Sequence, residues 1–270
     1  MAEYLGYDKV AGYQVVDLTE DRFEIRDFGS DSHLGKHPVP LTWRDADFRI
    51  SFAKNKTHAY AYYTLTLKNI YGALSLANKF KEYHCKRERG IYHTTIEYLE
   101  AFPVHFGLVD AYVSADGPFG VFADKRPNET HTIIGGADLV AVDWVAASKM
   151  GIDPMISQHM RLAVEAFGKP EISLVGYRQY ELYRPWLNVP TALTLFASKV
   201  MDADYHFGNL LYMSGAQMDE QHFHFKNRAL YIRILRKLTA PLKRMIFVRT
   251  VEHPSRANRI ASRVFYKLGF

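Results

Sequence analysis

The chain has 270 residues, 48% of them hydrophobic and 23% charged, enough apolar material for a sizeable core in one large domain or two smaller ones. It holds no run of about 18 uncharged apolar residues, and Met1 does not lead into a basic-then-apolar signal, so neither a membrane span nor a secretory leader is expected and a cytoplasmic location is. The net charge of +5 is uneven: Lys226 to Phe270 hold 12 Lys and Arg against Glu252 alone, or +11, and the preceding 225 residues carry −6.

In chain order, "GYQVVDL" (12–18) and "ADFRISFAK" (46–54) read as short strands. "AYYTLTLKNIYG" (61–72) alternates, with Tyr63, Leu65 and Leu67 on one face and Thr64, Thr66 and Lys68 on the other, which predicts a half-buried strand. "TTIEYLEAF" predicts a short helix capped by Thr94 or Thr95, and "VHFGLVDAYV" (104–113) a buried strand before the turn-rich "SADGPFG". "HTIIGGADLVAVDWVAASKMGIDP" places a strand ending at Gly135-Gly136, then a helix from about Leu139 to Met150 capped by Asp138 and closed by Gly151. "ISQHMRLAVEAFG" repeats the pattern from Ser157 to Gly168, and "EISLVG" (171–176) reads as a returning strand. Beyond it, "YELYRPWLNVP" is a connector, "TALTLFASKVM" a helix, and residues 226–250 mix apolar and basic residues at helical spacing. The alternation predicts an α/β domain over residues 1–180, its mixed or largely parallel sheet flanked by helices, and a helical, basic C-terminal extension over 181–270.

The order of "ADFRISFAKNKTH", "TLTLKNIYG", Tyr83-His84, "VDA" at Asp110, "DGPFG" at Asp116 and "GGADLVAVDWVAASKMGIDP" resembles the bacterial and archaeal domain of unknown function 362 family, over roughly residues 12 to 176. The resemblance implies no general reaction. Some members carry ferredoxin-like cysteine clusters; here Cys85 is the only cysteine, so this chain alone holds neither an iron–sulfur cluster nor an internal disulfide, and the cofactor stays unassigned. The resemblance thus points to an iron–sulfur partner protein. It also implies a further strand-and-helix unit upstream, of which the sequence shows no trace.

The chemistry concentrates in "FAKNKTHAYAYYTLTLKNIYGA" (52–73). Lys54, Lys56 and His58 alternate and so share one face of an extended chain. Lys68 and Asn69 end the next predicted strand, and pairing of the two strands would let these cations and an amide converge on a small carboxylate or phosphate. Crowded lysines lower one another's pKa, which suits anion binding or proton transfer. Lys56, with His58 or His84, is the candidate for acid–base chemistry. The competing reading is a wet sheet edge on which lysines discourage aggregation.

Gly135 and Gly136 would add free backbone N–H groups at a helix start, although without the G-x-G-x-x-G pattern of a dinucleotide fold. Asp143 lies in an apolar helix and is expected to be largely buried and to accept hydrogen bonds from a lysine of the 52–73 stretch, a hydroxyl or backbone N–H groups. Asp116 is a turn former or a loop ligand. His222 and His224, near Asp219 and Glu220, lack any recognised metal-ligand spacing, and His58 and His84 could join Asp116 as nitrogen and oxygen ligands; no metal is assigned to either set. No G-x-S-x-G elbow occurs, and Cys85 in "YHCKRER" has no ordered triad.

Two functions are compatible with these residues. One is a cytoplasmic protein, or an enzyme using acid–base chemistry, that binds a small anionic ligand through Lys54, Lys56, His58, Lys68 and Asn69, with Asp116, Gly135, Gly136 and Asp143 in support. The other is a non-catalytic interaction module whose basic tail docks on an anionic membrane surface in preference to nucleic acid, because Leu230, Ile232, Ile234, Leu235 and Leu238 supply apolar area. The structural alternative for that tail is an amphipathic helix pair packed on the body.

Overall fold

Alternating burial along the "ISFAKNKTH" strand sets the centre of the sheet. In the computed structural model, which describes residues 12–58, 61–75, 83, 90–115, 128–176 and 183, strand β3 (Ile50–His58) buries Ser51, Ala53, Asn55 and Thr57 and turns Ile50, Phe52, Lys54, Lys56 and His58 the other way. Strand β4 (Tyr62–Thr64) and strand β5 (Phe106–Ala115) flank it, β4 antiparallel and β5 parallel, and β6 (Asn128–Gly136) pairs antiparallel with β5, giving the order β4-β3-β5-β6. A separate hairpin joins β1 (Phe23–Asp27) to β2 (Lys36–Pro40) and leads into the short helix α1 (Leu41–Arg44).

The parallel β3–β5 pair requires a crossover. It runs through α2 (Thr66–Asn69), a 3₁₀ turn (Ile70–Ala73) and α3 (Ile91–Ala101). After β6 come α4 (Leu139–Lys149), a 3₁₀ turn (Pro154–Ile156) and α5 (Gln158–Phe167). Val109 and Ala111 of β5 and Tyr63 of β4 pack against Val142, Ala146 and Ala147 of α4 in one core cluster. A second cluster joins α3 and α5 to Val39, Leu67 and Ile70. Mixed sheets flanked by helices make the described part an α/β fold.

Local chemistry explains the boundaries. Asp138 Oδ1 accepts the N–H groups of Val140 at 2.8 Å and Ala141 at 3.2 Å, starting α4, and Gly168 ends α5 at φ +88°. The predicted strand over 61–72 stops at Thr64, because the Asp143 carboxylate takes the N–H groups of Thr66 and Leu67 and the chain turns into helix there. Helix α3 starts at Ile91, before Thr94 and Thr95, whose buried hydroxyls donate back to the Ile91 carbonyl instead of capping. Residues 12–18 and 171–176 are not strands; Val15 and Val175 are exposed and no described strand pairs with either segment.

The β2 strand "KHPVP" contradicts the usual reading of proline, and its register explains why. The Leu41 N–H donates to the Arg22 carbonyl, so the odd-numbered residues turn their amides toward β1 while Pro38 and Pro40 occupy the outward phase, where no donor is needed. The helix expected over 191–201 and the basic stretch 226–270 lie outside the described residues. Among the described residues, no helix is long and apolar enough to cross a membrane.

Candidate functional site

The carboxyl ends of the parallel strands β3 and β5 meet the amino end of β6, and both ladders break register there. Between the Lys54–Asp110 and Lys56–Ala115 pairs, β3 has one residue and β5 has four; between Ala111–Thr132 and Val113–Glu129, β6 carries the extra residue. His131 adopts φ +44° within that second irregularity. Bulges of this kind re-aim side chains, and in α/β sheets the carboxyl ends of parallel strands are where ligands bind.

On the outward face the two lysines differ. Lys54 Nζ lies 2.9 Å from Asp110 Oδ2 and is neutralised. Lys56, half-buried, has no hydrogen-bond or ion-pair partner among the described residues, and burial pulls its pKa below the usual lysine range. Across the ladder from Lys56 stands Thr64, whose buried Oγ1 makes no hydrogen bond among the described residues. Two residues on, His58 accepts the Ala61 N–H at Nδ1 (3.3 Å), which leaves the neutral ring's proton on Nε2.

The inward face at the same end is polar. Asn55 Nδ2 donates to Ser114 Oγ at 2.9 Å, Ser114 Oγ lies 2.7 Å from Thr130 Oγ1, and Thr130 bonds the Ala111 carbonyl. Asn55 is fully buried, yet its Oδ1 accepts nothing among the described residues, and Asn128 Nδ2 is likewise unsatisfied. Such groups cost free energy unless something completes them.

The remaining candidates separate from this end. Asn69 Nδ2 reaches Ser51 Oγ (3.3 Å) and the Phe52 carbonyl (3.2 Å), four to five residues before Lys56, or roughly 13–17 Å along a strand. Lys68 precedes it on α2, so the structure brings Lys54, Lys56 and His58 together and sets Lys68 and Asn69 toward the amino end of β3. Asp143 is 1% exposed and, among the described residues, its partners are a hydroxyl and backbone N–H groups: its Oδ1 accepts the Thr66 N–H and hydroxyl at 2.8 and 2.6 Å, and its Oδ2 the Leu67 N–H at 2.9 Å. Gly135 and Gly136 belong to β6, paired with Leu108 and Gly107, and the first N–H groups of α4 are occupied by Asp138. A Cβ at Gly135 would come within 3.1 Å of Leu108 and Phe106, and one at Gly136 within 3.1 Å of Val142, so close packing explains both glycines. His84, Cys85, Asp116, His222 and His224 lie outside the described residues. Among the described residues no group of three or more His, Cys, Asp or Glu could hold a metal ion.

Asn55, Thr64, Ser114, Asn128 and Thr130 are not expected from the sequence. One signal is present: in "ISFAKNKTH", Asn55 occupies the phase shared with Ser51, Ala53 and Thr57, where an amide is out of place in a core strand. The other four become recognisable only once the register is known.

A family model described as "Domain of unknown function (DUF362)" matches residues 1–148. The chain belongs to this family, over a segment that starts earlier and ends earlier than the motif resemblance. No curated protein and no solved structure matches it.

Proposed function

We propose that this member of the family binds a small anionic ligand, a carboxylate or phosphate, at the carboxyl end of β3 and β5. One observation carries the reading: Lys56 is half-buried and lacks a counter-charge among the described residues, whereas its neighbour Lys54 has Asp110 at 2.9 Å. An isolated, partly desolvated ammonium is costly in the free protein, and an anion is the natural complement. Thr64 Oγ1 beside it supplies a donor. His58, on the same face two residues on, is the candidate to relay a proton, and the lowered pKa of Lys56 brings a neutral amine within easier reach as a base. These properties support an acid–base enzyme as the extension of the binding function.

Thermal shift against inorganic phosphate, nucleotides and hydroxy acids at low ionic strength tests the proposal. At least one class should raise the melting temperature in a concentration-dependent, salt-sensitive manner. No shift from any of them, with full-length folded protein, refutes anion binding here.

A further inference from the structure

We propose that the outer edge of β1 pairs with β1 of a second copy of this chain, so that two hairpins close into one four-stranded antiparallel sheet. Among the described residues the two sheets present four edges, and three of them are protected. In β2, Pro38 and Pro40 stand in the outward phase and supply no N–H. Strand β4 has three residues, and β6 is broken by the register shift opposite Ala111 and Val113, where His131 adopts φ +44°. Strand β1, "FEIRD", has none of these devices: it keeps regular register over five residues and contains no Pro, Gly or Lys.

The phase of the hairpin decides what that edge offers. The Leu41 N–H donates to the Arg22 carbonyl and the Phe28 N–H to the Gly35 carbonyl, so Glu24 and Arg26 turn their amides to β2, and Phe23, Ile25 and Asp27 turn theirs away. The outward N–H groups of Phe23 and Ile25 meet no acceptor among the described residues. Their side chains are 57% and 60% exposed. Unpaired backbone groups beside exposed apolar side chains are a template for strand addition.

Charge selects the occupant. An antiparallel copy that pairs all five residues sets Ile25 opposite Ile25, Phe23 opposite Asp27 and Glu24 opposite Arg26. The phase fits: the odd-numbered pairs exchange backbone hydrogen bonds, and Glu24 and Arg26 form the closer pairs between them. Arg26 lies 5.3 Å from the Phe28 ring centre and 4.9 Å from that of Phe102, and has no carboxylate partner among the described residues. Glu24 holds Arg44 through Oε2 at 2.6 Å and keeps Oε1 for a second cation. The neighbouring registers, with Phe23 or Asp27 opposite Ile25, would set Glu24 against Glu24 or Arg26 against Arg26. In the favoured register the two Ile25 side chains meet, with Phe23 of each copy diagonal to them. The contact is isologous and closes at two copies.

Sedimentation of the full-length chain over a concentration series tests the pairing, in wild type and in edge variants. Wild type should pass from monomer to dimer. Ile25→Pro removes an outward N–H that the β2 ladder does not use, and should raise the dimer dissociation constant at least tenfold with the circular dichroism of the monomer unchanged. Glu24→Lys and Arg26→Glu each put like charges across the pair, so each alone should stay monomeric. An equimolar mixture of those two should dimerise, because every reversed charge then faces its opposite. Wild type that remains monomeric at millimolar concentration would overturn the proposal. A dimer that survives Ile25→Pro and both charge reversals would overturn it by placing the contact elsewhere, and so would a mixture no more associated than either variant alone.

Discussion

Asp143, in the first half of α4, closes on Thr66, the first residue of α2: one carboxylate oxygen receives both the backbone N–H at 2.8 Å and the hydroxyl at 2.6 Å of the same residue. The second oxygen takes the Leu67 N–H at 2.9 Å, so a single side chain satisfies the start of a helix that has no cap of its own. This contact bends the chain out of β4 and ties the crossover to α4.

Replacing Asp143 by Ala strands two backbone N–H groups and a hydroxyl in the core. Leaving buried donors unmet costs about 1–3 kcal/mol, and more where the lost acceptor was charged. Urea unfolding of Asp143→Ala should show that loss, while Thr66→Val in the same background should add less than it does alone, since the hydroxyl has already lost its acceptor. An unchanged midpoint for Asp143→Ala would contradict the arrangement.

The same residue makes stability depend on pH. Burial pushes its carboxyl from 3.8 up to about 7, against the pull of the three donors. The folded state therefore keeps a proton that the unfolded state releases above pH 4, and stability falls as pH rises. This contribution is fully present below about pH 4 and lost as pH rises through about 7. Melting temperatures of wild type and Asp143→Ala measured from pH 4 to 8 should converge toward the alkaline end. A gap that widens with pH would place the folded-state pKa below the unfolded one.

Much of the fold was legible because period and punctuation agreed. The alternation of β3, the Asp138 cap of α4 and the Gly168 stop of α5 are local signals that tertiary contacts did not override. The segment from Thr66 to Ala73 failed because its alternation, Tyr63-Leu65-Leu67, is also met by a buried helical turn, and the deciding partner, Asp143, is 77 residues away from Thr66. The same holds for the site. Lys54, Lys56 and His58 could be placed on one face from spacing alone, but that Lys54 is neutralised by Asp110 and Lys56 is not depends on a parallel register no local pattern encodes.

Gly135 and Gly136 should behave as packing positions. A methyl at Gly135 meets the ends of the Leu108 and Phe106 side chains on the open face, which can move aside; at Gly136 it meets Val142 of α4, inside the core. Gly136→Ala should cost about 1–3 kcal/mol, as overpacking does, and Gly135→Ala clearly less. Neither should alter the response to inorganic phosphate. Loss of that response in Gly135→Ala with its stability intact would show that the glycine backbone contacts the ligand.

Lys56 and Lys54 offer the sharpest comparison, because they are alternate residues of one strand in opposite electrostatic situations. Lys54→Met removes one half of a partly exposed pair, whose contribution is typically about 0.2–1 kcal/mol, and should lower stability slightly. Lys56→Met removes a half-buried charge with no counter-charge among the described residues, so it should raise stability, by about 0.5–2 kcal/mol if it resembles other substitutions that relieve a functional site. The effect on ligand should run the other way: phosphate or carboxylate binding lost in Lys56→Met, weakened at most a few-fold in Lys54→Met. Because burial lowers the Lys56 pKa, wild-type affinity should also fall on the alkaline side at a lower pH than an ordinary lysine would give. Calorimetric titration with inorganic phosphate and urea unfolding, run on both variants, read the two effects separately. A Lys56→Met protein that binds phosphate as wild type does would remove Lys56 from the site, whatever its stability.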